Sequence, residues 1–228
     1  REKYVEINKV LELCGGKCNR AKKAHIFESE EKAKSIIEAQ EKGEVVDKKK
    51  SYQFYETPKE IAKQMVELAD IKYVNYEETA EDDNSEILQD VIEPSAGRGA
   101  ICDEIDGSRC LFRCTELDPE NCKILEEKGY PVFCGDFLTS TEEADRFIMN
   151  PPFTKGQDAD HILHAYSLLR KGGSLVSVAS AGVEFNSQKK YKKLRELIEK
   201  NGKIIKLENN SFKESGTNVN TVIIVLNK

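Results

Sequence analysis

Val91-Ile92-Glu93-Pro94-Ser95-Ala96-Gly97-Arg98-Gly99 runs from a short apolar stretch into a turn of small residues and two glycines. β-Branched residues followed by an acid, a proline and glycines have the form of a buried strand handing over to a helix. Without Cβ atoms, the glycines let the backbone come close to a ligand. The dinucleotide pattern needs a third glycine at fixed spacing and a phosphate loop needs Gly-Lys-Ser/Thr; this turn has neither. An acidic residue just before the turn disfavours a pyrophosphate and suits a cationic or hydroxyl-rich ligand.

On both sides of this turn, strands and helices alternate. Thr57-Pro58 starts a helix over 58–69 with Ile61, Ala62, Met65, Val66 and Leu68 on its inner side. The acidic, Asn-containing stretch 72–86 reads as a loop. The pattern then predicts strand 89–93, helix 99–105, strand 110–116, helix 119–128, strand 131–134 and strand 145–149. Helix 158–170, strand 174–179, helix 187–200, strand 203–208 and strand 219–226 complete it. Strands separated by single helices imply right-handed crossovers and a mainly parallel sheet covered on both faces. The last two strands have only the loop Asn209 to Asn218 between them, which predicts an antiparallel hairpin at the sheet edge. Ligands in such sheets bind outside the carboxyl ends of the strands.

Composition fits an α/β domain with an appendage: 228 residues, 39% hydrophobic and 33% charged. There is no apolar run near the ~18 residues of a membrane span, and the charged start Arg1-Glu2-Lys3 is unlike a signal peptide. Residues 1–50 read as a helical N-terminal extension ahead of a domain over 51–228. One helix covers Lys3 to Leu13 and stops at Cys14-Gly15-Gly16; a second runs from Ser29, with its Ser29-Glu30-Glu31-Lys32 cap signal, to Lys42 before Gly43. The net charge of −6 argues against a polyanion-binding surface overall, yet the charge is uneven. Acids gather from Glu77 to Asp90, while Lys189, Lys190, Lys192, Lys193 and Arg195 form a basic helix that suits equally a solvated face and phosphate contact. The seven cysteines are unevenly spaced and show no disulfide framework; Cys114 and Cys134 lie in strand-like runs as buried free thiols, and a reducing cytoplasm is expected. His161 and His164, beside Asp158 and Asp160, share a helix face, but no fourth ligand accompanies them, so no metal is expected and the pattern reads as amphipathic helix surface.

Three further strand ends carry chemistry. The second strand ends Thr115-Glu116-Leu117-Asp118-Pro119, with a carboxylate where ribose hydroxyls are usually held. The third ends Cys134-Gly135-Asp136-Phe137-Leu138, a carboxylate beside an aromatic. The fourth, Arg146-Phe147-Ile148-Met149, leads into Asn150-Pro151-Pro152-Phe153. Adjacent prolines fix φ near −65°, remove two N–H donors and hold the chain extended. The Asn150 amide oxygen and the Pro151 carbonyl then form a pair of acceptors able to grip an exocyclic amino group, with Phe153 as a flat face for its ring.

Taken together, these motifs over residues 52–228 resemble the class I S-adenosylmethionine-dependent methyltransferases, specifically the N6-adenine type with an Asn-Pro-Pro-aromatic motif. The resemblance implies a Rossmann-like, mainly parallel seven-stranded sheet with a C-terminal antiparallel hairpin. It implies S-adenosylmethionine as cofactor, its methionine part wrapped by Glu93, Pro94, Ser95, Ala96, Gly97 and Gly99. Glu116 with Leu117 would hold the ribose, and Asp136 with Phe137 the adenine. Phe54-Tyr55-Glu56-Thr57-Pro58 is similar to the family's amino-terminal cofactor motif, which places Tyr55, Thr57 and Pro58 near the cofactor carboxylate. Gly172-Gly173 and Ser215-Gly216-Thr217-Asn218-Val219 also resemble the group. Asn150, Pro151, Pro152 and Phe153 would form the catalytic hook, with the target base flipped out of a duplex or presented single-stranded. Lys155, Lys189, Lys190 and Lys192 are the expected nucleic-acid contacts. DNA is favoured over RNA as substrate; a glutamine side-chain amide in a protein fits the same hook, and a non-catalytic cofactor-binding subunit is a further reading. No Pro-Cys dipeptide occurs, which disfavours cytosine-C5 methylation through a cysteine adduct. Target specificity is expected from residues 1–50, the loops at 153–160 and 181–190, or a separate specificity subunit.

Overall fold

In the computed structural model the described residues are 17–19, 24–26, 55–72, 88–208, 211–212 and 219–228. The chain divides into two compact units, Arg1–Gln53 and Phe54–Lys228. In the first, β1 (Lys17–Asn19) pairs antiparallel with β2 (Ala24–Ile26), Cys18 opposite His25. The helices expected over 3–13 and 29–42 lie outside the described residues.

The second unit opens with α1 (Lys59–Ala69), which starts after the extended Pro58 and buries Ile61, Ala62, Met65 and Ala69 along one stripe. Apolar residues at this spacing share a helix face, which is why the segment folds against the sheet rather than in isolation. Next come β3 (Asp90–Glu93), β4 (Leu111–Glu116) and α2 (Pro119–Glu127), whose first turn is closed by the Asp118 side chain accepting from Glu120 N at 3.0 Å. β5 (Val132–Cys134), β6 (Ala144–Met149), α3 (Gln157–Leu168) and β7 (Leu169–Ser180) follow. α4 (Lys189–Asn201), β8 (Gly202–Lys206) and β9 (Thr221–Asn227) end the described chain. No helix among the described residues is long and apolar enough to cross a membrane.

The sheet has seven strands in the order β5-β4-β3-β6-β7-β9-β8. The first five run parallel, and β9 lies antiparallel between β7 and β8. Burial follows the strand period of two. Ile148, Val176, Val178, Ile223 and Val225 pack on the α1 side, whereas Phe147, Met149, Leu175, Ala179, Ile224 and Leu226 pack on the α3 and α4 side. Each fully buried aliphatic or aromatic side chain of this kind contributes about 1.5–3 kcal/mol, so the strands buried on both faces carry most of the core.

Three local expectations change. The helix predicted over 99–105 is a series of turns with one 3₁₀ turn at Cys102–Glu104. Ile101 and Ile105 have helical spacing and are both buried, but Gly97 at φ +57° and Gly99 at φ +88° keep the entry out of helical geometry. A side chain at Gly99 would also meet Leu125 Cδ2 at 3.0 Å. β7 begins at Leu169, before a bulge in which Gly172 at φ +81° donates its N–H to Lys228 O at 2.6 Å. Cys134 is not a buried free thiol: it is exposed and disulfide-bonded to Cys122, their Cα atoms 5.9 Å apart. The short β4–α2 connection sets Cys122 beside β5, an adjacency no spacing in the sequence records. Cys114 is buried and free, as expected.

At the amino ends of the strands lies a closed set of charges. Arg113 donates to Asp90 Oδ1 at 2.8 Å and to Glu142 Oε2 at 3.0 Å. Arg170 donates to Asp90 Oδ2 and, at 3.3 Å, to Asp145 Oδ2, which also accepts from Asp90 N at 2.9 Å. The end of α1 docks on the same side: Ser174 Oγ donates to Ala69 O at 2.7 Å and Arg146 Nη2 to Asp70 O at 3.1 Å. α1 therefore delivers its other end, Pro58 and the residues before it, to the opposite edge of the sheet.

Candidate functional site

The strands ending at Glu93, Glu116, Cys134 and Met149 are neighbours in the sheet, so their following residues gather on one edge. Asn150 lies directly beyond β6. Its side-chain Nδ2 donates to Tyr55 O at 3.1 Å and to Thr57 Oγ1 at 3.0 Å. A backbone carbonyl only accepts, so the amide nitrogen must face Tyr55 and Oδ1 the other way. Pro151 is buried, and Pro152 and Phe153 are half-buried. The rings of Tyr55 and Phe153 are nearly parallel, 11° apart in plane with centroids separated by 6.5 Å. The motif residues and the 55–58 segment thus form one structure.

Behind the hook, the chain turns sharply through two left-handed residues, Lys155 at φ +56° and Gly156 at φ +74°. A Cβ at Gly156 would lie 2.7 Å from Lys190 Cε, so a larger residue would be strained at this φ and would push the Lys190 side chain aside. Asp158 then sits wholly buried, accepting from Tyr191 Oη at 2.7 Å, Ser180 N at 3.0 Å and Ala159 N at 2.9 Å. Burial raises its carboxyl above the usual range, with those bonds acting in the opposite sense. This brace joins the hook loop to β7 and α4, and it was not visible in the motif itself. Lys190 belongs to the same brace, donating to Lys155 O at 2.9 Å and Asp160 Oδ2 at 2.7 Å. Lys155, Lys189 and Lys192 are the exposed members of the four expected phosphate contacts.

Glu93 is 1% exposed, and Cys102 Sγ donates to its Oε2 at 2.7 Å. Burial pushes this carboxyl well above its usual range. Glu116 Oε2 accepts from Gly97 N at 2.6 Å and Oε1 from Asp118 N at 2.7 Å. Burial raises its carboxyl also, opposed by those backbone donors. Gly97 and Glu116 therefore hold the β3 and β4 turns together. A carboxylate has about four acceptor positions, so two backbone bonds leave Glu116 capacity for hydroxyl donors. Pro94 and Ala96 are buried and Ser95 is half-buried in the turn, while Leu117 is exposed.

Asp136 is exposed and accepts from Leu138 N at 2.9 Å. Phe137 differs from the expected adenine cover: its ring is 3% exposed and packs in the core against Phe147, His161 and His164. The Asp136 cap starts a 3₁₀ turn at Phe137–Thr139 that carries the next side chain inward. His161 likewise belongs to the core rather than to a helix surface. Burial lowers its pKa to about 4, keeping the ring neutral, and its Nδ1 is buried without a partner. His164 Nε2 lies 3.0 Å from Ser140 O.

A cleft of about 430 Å³ opens between the 56–59 segment and Ala100, Asp103 and Glu104 beyond the glycine turn. That volume is within the range of small-ligand sites. A backbone bare of Cβ atoms, a carboxylate oriented by backbone donors and an adjacent acidic cap together suit a ligand with hydroxyl and amino donors.

The chain has the Rossmann-like methyltransferase fold. Its structure is similar to the methyltransferase subunit of a type I restriction-modification system from Streptococcus thermophilus, at 17% identity and TM-score 0.58, over 76% of this chain and 45% of that one. The M protein of the type I restriction enzyme EcoKI matches at 17% identity and TM-score 0.55, over 88% and 51%. The 23S rRNA methyltransferase ErmE matches at 16% identity and TM-score 0.54, over 77% and 70%. The chain spans about half the length of the two restriction-modification subunits. No protein-family model and no curated protein matches the sequence. Within the methyltransferase fold, the Asn150 hook and the glycine turn occupy neighbouring strand ends, β6 and β3.

Proposed function

We propose that this chain transfers a methyl group from S-adenosylmethionine to the N6 amino group of adenine in DNA. The observation that carries the reading is the Asn150 amide, whose nitrogen is bound by Tyr55 O and Thr57 Oγ1 so that its oxygen is turned outward as an acceptor. S-adenosylmethionine supplies a methyl group on a positively charged sulfur, already electrophilic. Glu93 to Gly99 would hold the methionine part of the cofactor, Glu116 the ribose hydroxyls, and Asp136 the adenine amino group. Phe137, its ring committed to the core, would contribute through its backbone. Tyr55, Thr57 and Pro58 border the methionine end.

On the substrate side, Asn150 Oδ1 and the Pro151 carbonyl would accept the two N6 protons. That draws the nitrogen lone pair out of conjugation with the ring and directs it at the methyl group. Holding nucleophile and methyl in line is worth ~7–11 kcal/mol in well-oriented cases, so no covalent intermediate is needed. Phe153 offers a face for the base, and an adenine in a duplex must be extruded to reach it. Lys155, Lys189 and Lys192 supply positive charge for phosphates. A separate specificity subunit is part of this reading, supported by the likeness to methyltransferase subunits of type I restriction-modification systems.

An RNA adenine is the second reading, favoured by the likeness to an rRNA methyltransferase over 70% of that protein. Incubation with labelled S-adenosylmethionine and, separately, duplex DNA, RNA and a glutamine-containing peptide tests both. Label in DNA recovered as N6-methyladenine is the expected result. Label confined to RNA or to the peptide overturns the DNA reading.

A further inference from the structure

A carboxamide hook works only with its oxygen toward the amino group it grips. Turned half a revolution, the same side chain presents two N–H donors to two N–H donors. The terminal torsion of Asn is broad and roughly two-fold, so the covalent structure does not select one orientation. Selection comes from the 55–58 segment. Tyr55 O accepts only and fixes the sense of the amide. Thr57 Oγ1 receives a bond from the same nitrogen, so Nδ2 is held between two acceptors. Thr57 is 6% exposed, which shields that bond from competition with bulk solvent. Thr57 also borders the 430 Å³ cleft, where the family resemblance would make it a cofactor contact.

We infer that Thr57 is a positioning residue: its hydroxyl locks the Asn150 amide in the acceptor-outward orientation needed for transfer. The inference rests on the methyl-transfer reading and adds to it a residue outside the Asn-Pro-Pro-Phe motif. Thr57→Val keeps the side-chain shape and removes the acceptor, while Thr57→Ser keeps the hydroxyl. In the full chain, Thr57→Val is expected to lower kcat for adenine methylation about tenfold, the order expected for loss of one directed hydrogen bond. Its Kd for S-adenosylmethionine, measured by calorimetry, should change by a smaller factor than kcat does. Thr57→Ser should restore kcat. A Thr57→Val variant that loses cofactor affinity at unchanged kcat overturns the inference, because Thr57 would then act on the cofactor. So does a Thr57→Ser variant as slow as Thr57→Val.

A second measurement needs no turnover. In ¹⁵N-labelled wild-type protein, the Asn150 side-chain NH₂ signals, assigned by their loss in Asn150→Asp, should show nuclear Overhauser contacts to the Thr57 methyl group. Their absence overturns the inference alone, even where the protein methylates DNA. A wild-type chain that keeps those contacts but labels no DNA, RNA or peptide instead overturns the methyl-transfer reading.

Discussion

The two edges of the central sheet handle polar groups in opposite ways. At the amino edge, Asp90, Arg113, Asp145 and Arg170 close on one another, and the carboxyl of Asp90 illustrates the result. Burial alone would raise it, but the bonds from Arg113 and Arg170 outweigh burial and hold it below its usual range. At the carboxyl edge, Glu93 and Glu116 are buried with no cationic partner among the described residues, and burial raises both. Their bonds come from a thiol and from backbone N–H groups, which fix the direction of each carboxyl without supplying a positive charge. One edge is arranged for stability, whereas the other holds acceptors in fixed directions at an electrostatic cost. Strongly perturbed carboxyls at strand ends are where function concentrates.

The largest expected effect separates the edges outright. Asn150→Ala should lower kcat for methyl transfer by about two to three orders of magnitude, as for loss of a directed electrostatic contact in an active site. Affinity for S-adenosylmethionine should remain near wild type in calorimetry, and the stability loss should stay within the ~1–3 kcal/mol of two lost hydrogen bonds. A stability loss as large as the activity loss would erase the distinction between the edges.

Asp90→Ala should do the reverse. It strips Arg113 and Arg170 of their shared partner and should cost about 1–3 kcal/mol in denaturant unfolding, with kcat within about twofold of wild type. The wild-type contribution has a defined pH sign. Because the folded carboxyl is depressed, its stabilisation is present above the ordinary value of 3.8 and is lost as pH falls below it. The difference between wild type and Asp90→Ala should therefore narrow in acid.

The smallest effect sharpens the contrast from the other side. Glu93 has a raised folded pKa, so its favourable contribution is complete below its ordinary value of 4.5 and is lost as pH rises above it. Glu93→Gln keeps an acceptor for Cys102 and removes the titration. The variant should gain on wild type as pH rises above 4.5, by at most ~1.4 kcal/mol per pH unit. Parallel stability curves would mean that burial does not raise the Glu93 carboxyl.

Much of this arrangement is visible in the residues themselves, because strand ends, turn glycines and a proline-stiffened hook are local features. Val91 to Gly99 and Asn150 to Phe153 carry their geometry in consecutive positions, and the final antiparallel pair follows from two strands separated by a single loop. What escaped is set by partners far along the chain. Asn150 is bonded to residues 93 and 95 positions away, and no periodicity announces that. The inward turn of Phe137 depends on the cap formed by Asp136, and the Cys122–Cys134 link on how α2 settles beside β5. The helix predicted over 99–105 is cut to a single 3₁₀ turn by the left-handed Gly99.

The insertion of β9 between β7 and β8 also dictates an order of assembly. β8 joins the sheet through β9 alone, while β7 forms ladders with β6 on one side and β9 on the other. During synthesis, α4 and β8 emerge from the ribosome before the strand that connects them to the rest. Until residues 221–227 appear, β7 presents an open row of backbone donors and acceptors that another chain could capture. Closure of that flank is a late, nonlocal event, and the nascent polypeptide is most prone to aggregation just before it.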